Sequence, residues 1–421
     1  MFKFIHAADP HLDSPLRGLE RYEGAPVDEI RGATRRALEA LIDLAIVEQV
    51  AFVLIAGDIF DGDWRDYNTG LYFVSQMARL REAGIPVYAT SGNHDAANRM
   101  SRALKLPDNV RYLATDRPET AVLDRWDVAV HGQGFATAAV REDLSLGYPR
   151  ARPELFNIGM LHTCATEREG HDAYAPCTIE GLKSKGYEYW ALGHVHCREK
   201  LCADPMVMFP GNLQGRHIRE TGPKGCLVVT VEDDRAVTAD FRPLDVLRWE
   251  RASVDVGQSP DLDDVLSRVR RSLTQLQRRA DERILAVRLE LTGTTPGHQE
   301  LLSRREALIN QIRAAAIDVG AGGLWLEKVE VLTRETQTAG DYRSKAEGPL
   351  GTLAEVVRSL RDNPEGLRQL MSFSDLATRL PAELTQGAGE LRFDDPEWLS
   401  AVLSEVEPLL VDRLLGKGAA S

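Results

Sequence analysis

With 421 residues, 43% of them apolar, the chain is too long for one ordinary domain and carries enough apolar material for two or three packed cores. Its five cysteines, Cys164, Cys177, Cys197, Cys202 and Cys226, form no CxxC pair and are odd in number, which argues against a disulfide framework or a thiolate zinc site and fits a reducing cytoplasm. A net charge of −13 opposes nucleic acid at long range, so a phosphate-bearing polymer could be held only through metal ions, a local basic patch or a partner.

The N-terminal "MFKFIHAADPH" meets polar residues before a signal-peptide core develops, and no run approaches the ~18 apolar residues of a membrane span, so the expectation is a soluble cytoplasmic protein without membrane contact. From 1 to about 245, short apolar runs alternate with longer amphipathic ones. "FKFIHAA", a helix over 28–49, "FVLIAG", a helix over 69–83, "IPVYAT", "VAVHG", "FNIGMLH", "YWALGH" and "CLVVTV" follow in order. Strands of this length bounded by Gly, Asp and Asn, with helices between several of them, predict an α/β domain. In 28–49 the residues Ile30, Leu38, Leu41, Ile42 and Ala45 recur mostly at three- and four-residue intervals, as one buried helix face requires.

A second pattern begins near Leu247. Strand-like "ASVDV" leads to a helix with Leu262, Val265, Leu266, Val269, Leu273 and Leu276 on one face and Arg268, Arg270, Arg271, Arg278 and Arg279 largely off it. "ILAVRLELTG", a helix over 297–316 and "LWLEKVEVLT" complete a βαβαβ unit, a small α+β domain at 246–335. The arginines read as a solvated helix face before they read as a DNA track. Polar, Gly-containing 336–349 reads as a linker, and 350–421 as a helical region interrupted by Pro364, Pro381 and Pro396.

Eight of the ten histidines precede position 200, most of them where an apolar run ends. These junctions supply Asp9 and His11 in "AADPH", Asp58 in "IAGDIFD", Asn93 and His94 in "SGNHD", His162 in "GMLHT", and His194 and His196 in "LGHVH". Strand ends of an α/β sheet converge on one edge, where ligand crevices form. On an extended segment, residues two apart face the same way, which predicts that Asp9 with His11, and His194 with His196, each serve one centre. Carboxylate, imidazole and amide oxygens together suit Mn²⁺, Fe²⁺ or Zn²⁺. Seven such ligands are too many for one ion, whereas two ions ~3.5–4 Å apart, bridged by Asp58, would use them all. Each junction alone is more simply a turn or a hydrogen-bonded histidine; the ordered coincidence of five junctions in one domain is what points to a dinuclear site.

The series "DPH", "GD", "GNHD", "H" and "GHVH" resembles the calcineurin-like metallophosphoesterase superfamily across about 1–245. The stretches "FIHAADPHLDSPLRGL", "VLIAGDIFD" and "FPGNLQGRHIRETGPKG" resemble its SbcD/YhaO branch of DNA repair exonucleases. The resemblance implies a sandwich of two mixed sheets flanked by helices, followed by an α+β capping domain and a helical C-terminal region. It implies two divalent metal ions, Mn²⁺ first, with Fe²⁺, Zn²⁺ and Mg²⁺ as alternatives. Asp9, His11, Asp58 and His196 would hold one ion and Asp58, Asn93, His162 and His194 the other, while His94 would act in catalysis by stabilising the transition state or protonating the leaving oxygen. Asp61, Arg216 and His217 would lie beside the substrate. One departure is Asp61 in "GDIFD", where nucleases of this family commonly carry histidine.

The function this implies is hydrolysis of phosphodiester bonds in DNA by a manganese-dependent nuclease. A phosphodiesterase or phosphatase acting on small nucleotides would carry the same metal core. A weakly catalytic DNA-end-binding subunit, suggested by Asp61 and the acidic balance, is a third reading. The partners expected are DNA, an SbcC-like or YhaN-like ABC ATPase engaged by the helical region, and a second copy of the chain.

Overall fold

The computed structural model describes residues 1–14, 27–61, 67–97, 104–165, 174–320, 323–335, 348–361, 363, 366–368 and 395–416. Most of the expected linker, most of the helical run at 367–380, and His171 lie outside these residues. Two compact units are formed. One comprises Met1–Arg251, Arg279–Val287 and Gly323–Glu327, the other Ala252–Arg278, Arg288–Gly322 and Lys328–Ser421.

In the first unit the elements run β1 (Phe2–Ala7), α1 (Val27–Arg31), α2 (Ala33–Val47), β2 (Phe52–Ala56), α3 (Asn68–Glu82), β3 (Val87–Thr90), α4 (Asn93–Ala97), β4 (Val110–Tyr112), β5 (Glu119–Leu123), β6 (Val128–Gln133), β7 (Phe156–His162), α5 (Ile179–Lys183), β8 (Tyr189–Gly193), β9 (Glu199–Cys202), β10 (Met206–Phe209), β11 (Gly225–Val231) and β12 (Val237–Pro243). They build two six-stranded mixed sheets, β12-β11-β1-β2-β3-β4 and β5-β6-β7-β8-β10-β9. This is the expected sandwich. Strands β1 to β4 run parallel to one another, as do β6, β7 and β8, so the loops that follow them open on common edges.

The near-continuous apolar runs of β1 and β2 arise because both faces of the first sheet are covered. Phe4, Phe52 and Leu54 pack toward the second sheet with Val130, Ile158, Met160, Tyr189 and Val229. Alternating with them, Ile5, Val53 and Ile55 pack with Leu38, Leu41 and Ile42 of α2 and Phe73 and Met77 of α3. His6 links the sheets: its Nε2 donates to the Leu192 carbonyl at 3.1 Å and its Nδ1 accepts from Tyr189 Oη at 2.9 Å. Burial drives its pKa down to about 3, so it is neutral and structural, as its place inside the first strand suggests.

Farther along come β13 (Leu247–Asp255), α6 (Leu262–Arg279), β14 (Ile284–Thr292), β15 (Thr294–Thr295), α7 (His298–Ser303), α8 (Arg305–Gly320), β16 (Leu324–Val331) and β17 (Arg334–Glu335), with a three-stranded sheet ordered β13-β14-β16. The apolar stripe of α6 buries Val265, Val269 and Leu273. Off that stripe Arg268 donates to Asp264 Oδ2 at 2.7 Å and Arg270 pairs with Asp318, the behaviour of a solvated helix face. His298 opens α7, half-buried, with Nδ1 2.9 Å from Thr333 Oγ1. The helices Pro349–Arg361 and Pro396–Gly416 meet through Val357, Leu399 and Leu403, and the second of them also packs on α7. Among the described residues, no helix is long and apolar enough to cross a membrane.

Candidate metal centre

The candidate ligands sit at or after strand ends: His162 closes β7, Asn93 opens α4 after β3, and the others lie where the backbone has left the extended conformation. Asp9 (φ 51°) and His11 (φ 43°) follow β1, Asp58 (φ 49°) follows β2 and His194 (φ 96°) follows β8. Non-glycine residues seldom adopt positive φ, and each costs about 1–3 kcal/mol, so four in one place mark a strained and over-determined site. The strain is held by hydrogen bonds. Asp9 N donates to Gly57 O at 3.1 Å, and His11 N to Asp58 O at 3.0 Å. Asp95, buried, accepts from the backbone N–H groups of Ile59 (3.2 Å), Phe60 (2.9 Å) and Gly92 (3.1 Å), tying the "GNHD" turn to the "GDIF" loop.

The approach is close enough to demand glycine at several positions, among them Gly92, where a Cβ would lie 2.2 Å from Asp58 Oδ1. Gly57 (φ 90°) has no room for a Cβ, which would lie 2.3 Å from His162 Nδ1. A Cβ on Gly193 would stand 1.8 Å from Ala56 O, so β8 and β2 can meet beneath the site only if this position is bare.

The seven expected ligands and His94 come together. Their donor atoms form three groups within 4.8 Å: Asp9, His11 and His196; Asp58, His162 and His194; and His11, Asp58 and His94. Asp58 Oδ2 stands 3.3 Å from His162 Nε2 and 3.9 Å from His11 Nε2, while its Oδ1 accepts the His94 N–H at 2.9 Å. Asn93 Oδ1 is 3.1 Å from His162 Nε2. The expectation that spacing by two sends both members of a pair to one centre holds for Asp9 and His11 but not for His194 and His196, which enter different groups. Alternation does not govern the second pair because His194, at φ 96°, and His196 lie beyond β8 in the loop before β9 and not on an extended strand.

The electrostatics are those of a site built around positive charge. Burial raises the Asp9 carboxyl to about 6 even though the His194 N–H donates to both of its oxygens, at 3.1 and 3.0 Å. His11 is pushed well below its ordinary range by burial and by the nearby Arg216 guanidinium, so its ring is neutral and offers a lone pair. His162 is buried, which alone would lower its pKa, yet the Asp58 carboxylate lifts it to about 9. His162 Nδ1 donates to the Ala56 carbonyl at 3.0 Å, which leaves Nε2 as the atom facing the oxygens of Asp58 and Asn93.

A second set of side chains surrounds this cluster. His94 Nδ1–H donates to Asp61 Oδ1 at 2.7 Å, and that hydrogen bond raises the His94 pKa. Asp61 Oδ2 accepts from Arg216 Nη1 at 3.2 Å and from Ser14 Oγ. Arg216 Nη2 in turn donates to Glu220 Oε1 at 2.9 Å, and Glu220 Oε1 receives His196 Nδ1–H at 2.8 Å. Lys224 Nζ donates to the His196 carbonyl at 2.6 Å, fixing the same residue from its backbone. His217 remains half exposed, 3.6 Å from Glu220 Oε1. Neither Glu220 nor Asp95 stands out in the sequence as a site residue; Asp95 could have been found as the acid closing "GNHD", whereas nothing near Glu220 marks it.

The donor set fits divalent cations. Among the described residues His11 Nδ1 is buried with no hydrogen-bond partner, His11 Nε2 and His196 Nε2 face each other at 3.1 Å, and His162 Nε2 faces two acceptor oxygens. Lone pairs directed at one another in a buried site are costly unless a cation or a proton stands among them.

Residues 2–198 match the calcineurin-like phosphoesterase family, and 249–334 match the middle domain of the metallophosphoesterase YhaO. The metallophosphoesterase YhaO of Bacillus subtilis, itself described as uncharacterized, is 38% identical over 70% of this chain and 72% of its own length. The chain belongs to the calcineurin-like metallophosphoesterases, in their YhaO-like branch. Family membership makes it a metal-dependent hydrolase whose cofactors are divalent metal ions. The DNA double-strand break repair protein Mre11 of Methanopyrus kandleri is 25% identical over 95% of this chain and 85% of its own length, and that of Aeropyrum pernix is 27% identical over 66% and 69%.

Proposed function

We propose that this chain hydrolyses phosphodiester bonds of DNA in repair, in the cytoplasm, with two divalent ions, Mn²⁺ foremost. The observation that carries the reading is the position of Asp58, whose carboxylate lies between His11 on one side and His162 on the other. Asp9, His11, Asp58 and His196 would hold one ion, and Asp58, Asn93, His162 and His194 the other. Ions so held supply the positive charge that activates water and neutralises a phosphate undergoing displacement. DNA as the substrate is supported by the likeness to proteins named for double-strand break repair.

With Nδ1–H engaged by Asp61, His94 is left with Nε2 as its free ring nitrogen, and the same hydrogen bond raises its pKa, which favours the protonated ring as donor to the leaving sugar oxygen. Asp61 therefore orients His94 and holds Arg216, where many family members carry histidine. Arg216, clamped between Asp61 and Glu220, supplies a fixed cation beside the cluster. In this reading residues 1–245 perform the reaction, 246–335 cap it and engage DNA, 336–349 link, and 350–421 recruit an SbcC-like or YhaN-like ATPase.

Purified protein incubated with end-labelled DNA and with bis-p-nitrophenyl phosphate, in Mn²⁺, tests the proposal. Both should be hydrolysed, and His94→Gln should slow turnover by ~10²–10⁴ while metal content stays unchanged. Absence of hydrolysis of either substrate with Mn²⁺, Fe²⁺, Zn²⁺ or Mg²⁺ would refute it.

A further inference from the structure

We propose that Gln214 and Trp249 are positioning residues for the half of the metal centre that contains His196, so that β13 supports a site to which it gives no ligand, an inference that rests on the two-ion reading. The loop between β10 and β11 carries the side chains that hold His196. Glu220 receives its Nδ1–H at 2.8 Å, Lys224 Nζ donates to its carbonyl at 2.6 Å, and Arg216 Nη2 steadies Glu220 Oε1 at 2.9 Å. Apart from a single bridge between Asn212 and Ala8, residues 210–224 contain no helix or strand, so the shape of this loop must come from its contacts with other segments.

Those contacts come from the start of β13 and the residues just before it. Gln214 is buried, and its amide is used in full: Oε1 accepts from Val246 N at 3.0 Å and Leu247 N at 3.4 Å, while Nε2 donates to Leu247 O at 2.5 Å and Gly215 O at 2.9 Å. Trp249 Nε1–H also donates to Gly215 O, at 3.0 Å, and the Trp249 carbonyl accepts from Gly222 N at 3.0 Å. Ile218 of the loop joins Leu247 and Trp249 in one apolar cluster, and Leu244 N and Asp245 N donate to Lys224 O at 2.8 and 3.1 Å. Asn212 Nδ2 donates both to Gln214 O at 2.8 Å and to Glu220 Oε2 at 3.0 Å, so the placement of Gln214 passes to Glu220 through one side chain, and from Glu220 to His196. All of these residues belong to the first compact unit. The other half of the centre is held by different contacts, Asp95 on the turn that carries Asn93 and the Ala56 carbonyl on His162 Nδ1. A disturbance at Gln214 or Trp249 therefore reaches one ion and spares the other.

Calorimetric titration of chelated, full-length protein with Mn²⁺ tests this. Gln214→Leu, which loses all four hydrogen bonds, and Trp249→Phe, which keeps an aromatic ring and loses only the N–H, should each bind one ion as the natural chain does and the other about ten-fold more weakly, the lower end of what the loss of an outer partner costs a metal site. Added to His196→Ala, neither substitution should change the affinity that remains, because both act through His196. Trp249→Phe, the milder change, decides the matter if Gln214→Leu does not fold. Unchanged affinities, or equal weakening of both ions, would overturn the assignment. If the natural chain binds a single ion, the two-ion reading fails, and the positioning role stands only if these substitutions weaken that ion. Selective weakening in a protein that hydrolyses neither bis-p-nitrophenyl phosphate nor DNA would uphold the positioning role and remove the catalytic reading instead.

Discussion

Glu220 receives His196 Nδ1–H, the Arg216 guanidinium and backbone N–H, and Asn212 Nδ2 from four directions. The first of these contacts leaves His196 Nε2 as the lone-pair nitrogen toward His11, the arrangement by which carboxylates set the tautomer of a metal-binding histidine. Although burial alone would raise its pKa, His196 and Arg216 hold the Glu220 carboxyl well below its ordinary 4.5. A depressed folded-state pKa contributes stability that is complete above the unfolded value of 4.5 and is lost as the pH falls below it. In chelated protein, Glu220→Gln should therefore cost about 2–3 kcal/mol at pH 7 and flatten the acid limb, as read by urea unfolding at pH 7 and pH 4. Equal stability at pH 7 with an unchanged acid limb would show that the contact carries no such energy. The sequence reveals Asp58 and His162 because glycine and an apolar run announce a strand end. It conceals Glu220, whose histidine partner His196 lies 24 residues away on another loop.

At the scale of elements, most strands and helices of the sandwich were legible because burial on one stripe or two faces imposes a period on the sequence. The 28–49 helix is the instructive exception, dividing at Gly32 into α1 and α2. The ligand pairing was legible only in part, since its geometry is set by positive-φ turns that side-chain alternation does not describe. The C-terminal helix Pro396–Gly416 packs on α7, and Arg361 closes the helical pair by donating to Glu407 at 2.8 Å. This packing leaves Val356 and Leu410 exposed, apolar side chains of the kind a partner helix would cover. Full-length protein carrying Val356→Glu and Leu410→Glu should stay folded and lose co-purification with an SbcC-like or YhaN-like ATPase; retention of the ATPase by this variant would contradict recruitment through these helices.

For the whole molecule, the acidic balance and the buried cationic demand of the site are two sides of one design. In the proposed reading, a chain of net charge −13 draws phosphate not by its long-range field but locally, through ions that Asp9, Asp58 and the surrounding imidazoles would hold and through the clamped Arg216. All of these donors belong to the first compact unit. If Asp58 joins the two groups of donors, its removal must affect both. Elemental analysis of protein saturated with Mn²⁺ and freed of excess measures this directly: the natural chain should retain two ions per molecule, Asn93→Ala should lose part of one site, and Asp58→Ala should fall below one ion. A single ion in the natural chain, or two ions retained by Asp58→Ala, would contradict a shared dinuclear centre.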